Sequence, residues 1–232
     1  MMSLYIVATP IGNLEDMTFR AVKTLNEVDL ILAEDTRVSK KLLTHFGITT
    51  PTCTYHDFNK EKMTPLLVER LKKGETMALI SDAGTPGIAD PAFNLVRAAI
   101  KEQIAVVPIP GASALISALV CSGLPTDRFV FENFLPHKSS QRRKLFESLK
   151  TEHRTVIFYE TPHRIVKVLE EIEEILGDIQ VVIARELTKL YEQFLRGSAK
   201  ELLEHFKTTS PRGEMVILFN TRIHADKQQS PD

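Results

Sequence analysis

Seven short runs of β-branched and aliphatic residues recur along the chain, and each gives way to a polar or glycine-rich cluster. Residues 4–8 precede Thr9-Pro10-Ile11-Gly12-Asn13, residues 30–33 precede Glu34-Asp35-Thr36-Arg37, and residues 77–80 precede a long loop at 81–91. Residues 106–109 precede Pro110-Gly111-Ala112-Ser113, residues 156–159 precede Glu160-Thr161-Pro162, residues 181–184 precede Arg185-Glu186, and residues 216–219 precede Asn220-Thr221. Apolar runs of this length without alternation predict strands covered on both faces. In an open α/β sheet ligands bind beyond the carboxyl ends of the strands, so the strand-then-cluster repeat predicts a binding cleft.

Helical periodicity fills the intervals. Asp16 is placed to cap a helix carrying Met17, Ala21, Val22 and Leu25. Asp90-Pro91 reads as a cap followed by a first-turn proline, ahead of Leu95, Val96, Ala99 and Ile100. Gly111-Ala112-Ser113 opens an apolar helix that Gly123 ends, and Ile165, Val168, Leu169, Ile172, Ile175 and Leu176 mark a buried face that stops at Gly177. The alternation up to about Gly123 predicts a mainly parallel sheet with helices on both faces. An aromatic strand at 128–134 and a basic helical stretch follow before the alternation resumes at Thr155. The fold class expected is therefore α/β: one α/β domain over 1–124 and a second over 125–223, with a cleft between them. Polar residues 224–232 are expected to be a disordered tail.

With 43% hydrophobic and 25% charged residues and a formal net charge of −1 over 232 residues, only a local basic patch could bind nucleic acid. Cys53 and Cys121 suggest neither a disulfide nor a thiolate metal site, and read as buried free thiols in a reducing cytoplasm. No basic, apolar leader precedes the first strand and no run is long enough to span a membrane, so a cytoplasmic protein is expected.

Several cofactor classes lack their signature. The cluster after the first run holds one glycine where a dinucleotide fingerprint needs three, and no phosphate-binding G-x-x-x-x-G-K-[ST] is present. The histidines lack zinc spacing and the acids form no calcium loop, so no metal is expected. The loop at 81–91 is the strongest positive feature. Gly84 and Gly87 allow close backbone approach, and Asp82 either accepts from a ligand hydroxyl or amine or caps its own loop. Gly111-Ala112-Ser113-Ala114 offers backbone N–H groups to a polar ligand end, or is simply a close strand-to-helix turn. Charged clusters at Glu34-Asp35-Thr36-Arg37, Glu160, Arg185-Glu186 and Arg212-Gly213-Glu214 all fall at strand ends. Residues 137–144 carry Lys138, Arg142, Arg143 and Lys144 without an acid, suiting either phosphate or a solvated helix start. Phe129, Phe131 and Phe134 are expected in the core.

The run from Leu4 through Leu14, Ala33-Glu34-Asp35-Thr36-Arg37, the loop at 81–91 and Arg185-Glu186-Leu187-Thr188-Lys189 occur in an order that resembles the ribosomal RNA small subunit methyltransferase I family, a branch of the tetrapyrrole methylases or class III S-adenosylmethionine methyltransferases. The resemblance runs from Leu4 to about Phe219. It implies a homodimer of two-domain chains with S-adenosylmethionine in the cleft, methylating the ribose 2′-oxygen of cytidine 1402 of 16S ribosomal RNA within the small ribosomal subunit. It implies donor contacts at Pro10, Asp82, Gly84, Ile88, Ser113 and Ala114, completed by Tyr159, Leu187 and Met215 or their neighbours. Glu34, Asp35, Glu160 and Glu186 remain alternative general bases. Arg37, Arg185 and Lys189, with Lys138, Arg142, Arg143 and Lys144, are the candidate RNA contacts.

Two departures from the family stand out. Asn133 replaces the glycine usual before Phe134-Leu135-Pro136. Many members also continue past the position of Asn220 into another small domain, whereas this sequence stops about a dozen residues on, leaving RNA grip to the basic segment, a dimer partner or another protein. Two other functions fit the same residues: a methyltransferase acting on a tetrapyrrole or other small molecule, and a non-catalytic protein that binds the donor or the ribosome.

Overall fold

The computed structural model describes residues 2–224, so the tail expected at 224–232 lies, beyond His224, outside the described residues. The chain divides after Ser113 into two units.

The first unit alternates β1 (Ser3–Val7), α1 (Phe19–Glu27), β2 (Leu30–Ala33), α2 (Thr36–His45), β3 (Thr52–Thr54), α3 (Lys60–Lys72), β4 (Thr76–Ile80), α4 (Ala92–Lys101) and β5 (Ala105–Ile109). The strands form one parallel sheet in the order β3-β2-β4-β1-β5. Its two faces are filled by alternate residues of the same strands. Leu30, Leu32, Met77 and Leu79 pack with Leu67, Leu71 and Leu95 from α3 and α4. Ile31, Ala33, Ala78 and Ile80 pack with Ala21, Leu25 and Leu43 from α1 and α2. Double burial explains why these strands read as unbroken apolar runs.

The ends of the helices partly correct the sequence reading. Thr18, not Asp16, caps α1, its Oγ1 accepting from Ala21 N at 3.1 Å, while Asp16 closes a short 3-10 turn capped by Asn13. Pro91 stands one position before α4, and the Asp90 carboxylate accepts from Gly87 N at 2.8 Å and Ala92 N at 2.9 Å. β3 escaped detection because it is a three-residue edge strand with little to bury.

The second unit contains α5 (Ala114–Ser122), β6 (Phe129–Phe134), α6 (Ser139–Leu149), β7 (Thr155–Glu160), α7 (Ile165–Leu176), β8 (Ile179–Arg185), β9 (Gln193–Ser198), α8 (Ala199–Thr208) and β10 (Met215–His224). Its sheet runs β6-β7-β10-β8-β9 and is mixed: β6 and β7 are parallel, while β10 lies antiparallel between β7 and β8, and β9 antiparallel to β8. α5 packs against β7, β8 and β10, which assigns it to this unit and moves the division back from Leu124-Pro125. Gly123 and Gly177 do end α5 and α7, at φ +83° and +77°.

Asn133 adopts φ +58°, the left-handed conformation a glycine would take, and its Oδ1 accepts from Phe134 N at 2.8 Å. Asparagine tolerates that region, so the departure is absorbed locally. Phe129 and Phe134 are exposed rather than core, because β6 is an edge strand. Both cysteines are free, but Cys121 is exposed and Cys53 only part-buried. Among the described residues no helix is long and apolar enough to cross a membrane, and no group of His, Cys, Asp and Glu could hold a metal ion.

Candidate active site

At the carboxyl edge of the first sheet, the loops after β1, β4 and β5 are laced together. Thr9 and Gly84 exchange backbone hydrogen bonds, Thr9 N donating to Gly84 O at 2.9 Å and Gly84 N to Thr9 O at 3.0 Å. Thr9 Oγ1 donates to Ser81 O at 3.3 Å, and Thr85 Oγ1 to Ala112 O at 3.1 Å. Gly84 sits at φ +79°, and a Cβ on Gly111 would meet that of Ala8 at 3.0 Å. These glycines fit a backbone that must approach its neighbours closely. The loop after β2 joins the same edge, with Asp35 N donating to Asp82 Oδ1 at 3.1 Å.

Of the sequence-expected donor contacts, Pro10, Asp82, Gly84 and Ile88 therefore lie on connected loops of one sheet edge, and Ser113 and Ala114 sit at the start of α5. The edge also holds a cavity of about 260 Å³ lined by Thr9, Pro10, Ile11, Gly12 and Leu14, by Val38, Ser39, Lys41 and Leu42 of α2, and by Ser81, Asp82 and Ala83.

The four candidate bases occupy different environments. Glu34 is half-buried; burial first, then the charges of Asp82, Asp90 and Asp57, push its carboxyl up from 4.5. Asp35 is gripped by Arg37, Nη2 to Oδ2 at 2.7 Å and Nε to Oδ1 at 3.1 Å, which lowers its pKa to about 2.

Glu160 lies at the edge of the second sheet with its side chain fully buried. Its Oε1 accepts from Thr161 N at 2.6 Å and Arg164 Nε at 2.7 Å, while Oε2 has no partner among the described residues. Glu186 is clamped too: Lys189 Nζ donates to it and to Glu214, each at 3.0 Å, and Glu214 N donates to Glu186 Oε1 at 3.1 Å. Burial raises its carboxyl, but Lys189 and the Glu214 amide outweigh that and hold it below 4.5.

β10 explains why these groups meet. Running antiparallel, it sets Met215 at its start opposite both Glu160 and Arg185 at the ends of their strands. Arg185 Nε donates to Gln193 Oε1 at 2.8 Å, and its Nη1 to Arg212 O at 3.3 Å. The turn after β8 holds Glu186 at φ +48° and Thr188 at φ +66°. Positive φ in a β-branched residue is strained, and such strain concentrates at functional loops. Tyr159 is half-buried, edge-on to Phe131 at 4.9 Å and Phe134 at 5.4 Å, and burial pushes its phenol up. Leu187 and Met215 are both buried.

The basic segment divides into paired and unpaired cations. Arg142 is buried, with Nε 2.5 Å and Nη2 2.7 Å from Glu171 and Nη1 on Pro136 O and His137 O. It ties α6 to α7 and is withdrawn from RNA, correcting its assignment as a phosphate contact. Arg143 is paired with Glu174 at 2.6 and 2.7 Å. Lys138 and Lys144 are exposed without an ion pair among the described residues. Sequence reasoning passed over a second acid-free stretch, α2, whose Lys40 and Lys41 are exposed and likewise unpaired among the described residues. The absence of any acid from Thr36 to His45 was the available signal.

Residues 3–203 match the tetrapyrrole (corrin/porphyrin) methylases. The chain is 53% identical to ribosomal RNA small subunit methyltransferase I of Halalkalibacterium halodurans over 216 residues, 93% of this chain and 75% of the relative. It is 48% identical to the protein of the same name from Thermotoga maritima over 217 residues, 94% of this chain and 97% of the relative. Among solved structures, diphthine synthase has the same fold at 17% identity, with a TM-score of 0.71 over 94% of this chain and 89% of that one.

Proposed function

The chain belongs to the tetrapyrrole methylase family, and we propose that within it the protein transfers a methyl group from S-adenosylmethionine to the ribose 2′-oxygen of cytidine 1402 in 16S ribosomal RNA of the small ribosomal subunit. The observation that carries this reading is identity of about half over nearly the whole chain to relatives named as ribosomal RNA small subunit methyltransferases. The same reading makes the protein a cytoplasmic homodimer.

The residues present fit the donor. Gly84 and Gly111 let the loops after β4 and β5 close on Ile11 and Ala8, Asp82 is exposed on the same edge, and the chain enters α5 through Ser113 and Ala114. Pro10 and Ile88 add apolar surface to that cradle. S-adenosylmethionine, when bound, supplies a methyl group made electrophilic by its sulfonium. The protein's task is then to hold the 2′-hydroxyl in line with that carbon and take its proton as the oxygen–carbon bond forms and the sulfur–carbon bond breaks.

Glu34 is the carboxylate suited to take that proton. Asp35 is neutralised by Arg37, Glu160 by Arg164 and Glu186 by Lys189, whereas Glu34 has no cationic partner among the described residues. Its pKa is already raised toward working pH, as an effective base requires. Lys138 and Lys144 remain available to phosphate, with Arg37, Arg185, Lys189 and Arg143 reachable by exchange of their present partners.

The test is transfer of labelled methyl from S-adenosylmethionine to small ribosomal subunits from a strain lacking this protein, followed by mapping. Label on the 2′-oxygen of cytidine 1402 is expected. Label on another nucleotide, or only on a corrinoid or porphyrin acceptor, would overturn the assignment.

A further inference from the structure

We propose that the cavity between the loop after β1 and α2 is the acceptor pocket, receiving one extruded nucleotide of single-stranded RNA whose flanking phosphates are met by Lys41 and Lys40. This deepens the ribose-methylation reading and rests on it.

Enzymes that do chemistry on a base draw it out of its stack into a closely sized pocket, and an unpaired RNA nucleotide can be splayed out and bound in the same way. Pro10, Ile11, Leu14, Val38 and Leu42 give this cavity apolar walls. At about 260 Å³ the cavity falls just below the usual span of ligand pockets, roughly 300–1,000 Å³. That volume suits a single base and its sugar and is too small to enclose a tetrapyrrole macrocycle.

The rim has the charge that RNA needs. α2 carries Arg37, Lys40 and Lys41 and no acid; Arg37 is neutralised by Asp35, while the two lysines are exposed and unpaired among the described residues. Lys41 itself lines the cavity. A cationic helix face at the mouth of an apolar pocket is the arrangement that fixes a phosphate backbone while a base is taken in.

The position also suits transfer. Pro10 and Asp82 line the cavity and belong to the donor cradle proposed above, so a nucleotide seated there has its ribose beside the donor. Asp82 Oδ1 is occupied by Asp35 N, which fixes this shared wall.

The experiment uses the full chain with Val38→Trp, to plug the pocket from an exposed rim position, and Lys41→Ala. Donor affinity is measured by calorimetry, and kcat and KM are measured on small subunits across a salt series. Both variants are expected to keep wild-type donor affinity, which also reports correct folding. Val38→Trp is expected to abolish transfer, and Lys41→Ala to raise KM at unchanged kcat and reduce the slope of log KM against log salt by about 1. Lys62→Glu, on α3, should leave all of these in place. Loss of donor affinity in Val38→Trp would assign the cavity to the donor and overturn the inference, as would wild-type KM in both variants. Failure of the wild-type protein to label small subunits would instead bring down the ribose-methylation reading, and this inference with it.

Discussion

Asp82, in the loop after β4, accepts through Oδ1 the backbone N–H of Asp35 at 3.1 Å and so fastens the end of β2 to its neighbour. The bond gives one carboxylate two duties. It fixes the turn that presents Glu34, and its charge is, after burial, the largest influence raising the Glu34 carboxyl. Replacing Asp82 by Asn preserves an acceptor for Asp35 N but removes the charge. The Glu34 pKa is then expected to fall, moving the rising limb of the pH–kcat profile to lower pH. An unmoved limb would detach Glu34 from the rate.

Glu34→Gln is expected to lower kcat by roughly 10²–10⁴ while leaving donor affinity intact, the range for loss of a positioned base. Stability should move the other way. A folded-state pKa raised above 4.5 favours the protonated carboxyl, a contribution fully present below 4.5 and lost as pH rises through the raised value. At pH 8 the variant, which cannot ionise, should melt above the wild-type protein, and the difference should vanish at pH 4. Calorimetric melts at the two pH values measure it.

Arg142→Ala removes one partner of a buried ion pair and is expected to cost about 3–5 kcal/mol in denaturant unfolding, because Glu171 is left buried and unpaired. Arg142→Met combined with Glu171→Leu should recover most of that loss. Methyl transfer by the folded double variant should match the wild-type rate, since the pair faces the junction of α6 and α7 rather than RNA.

The contrast between Arg142 and Lys41 shows what was legible beforehand. Both lie in acid-free basic stretches, and nothing within a local window separates them. The carboxylates that capture Arg142 and Arg143 stand 29 and 31 residues downstream on α7, where only helix packing brings them close. The strands β1, β2 and β4 of the first sheet were plain because each is buried on both faces and so carries an apolar run, whereas the edge strand β3 has no such run. The charged clusters were correctly seen at strand ends, yet the meeting of Glu160, Arg185 and Met215 depends on β10 running antiparallel, a direction that no hydrophobic pattern encodes. Glu34 and Glu186 looked alike in sequence; burial beside other acids separates the first from the second, which a lysine holds.

Gly213→Ala should destabilise the second unit by roughly 1–3 kcal/mol, the cost of a non-glycine residue at a strained positive φ, and displace Glu186 besides. Gly213 stands at φ +78°, and any Cβ there would collide with the Glu186 side chain. With Glu186 pushed aside, Lys189 loses one of its two carboxylates. Denaturant melts measure the first effect, and titration of Lys189 by NMR, moving down toward its ordinary value, measures the second.

β10 joins two halves of a sheet that otherwise share no strand pairing: β6 with β7 on one side, β8 with β9 on the other. During synthesis the first unit has all its strands once Ile109 has emerged, but the second waits as two separate ribbons until residues 215–224 arrive to zip between them. Pairing across such sequence separations is slow and leaves strand edges bare in the interval. The nascent chain therefore carries a finished half and an unfinished one, and the charged edge at Glu160 and Arg185 comes into being only with its last strand.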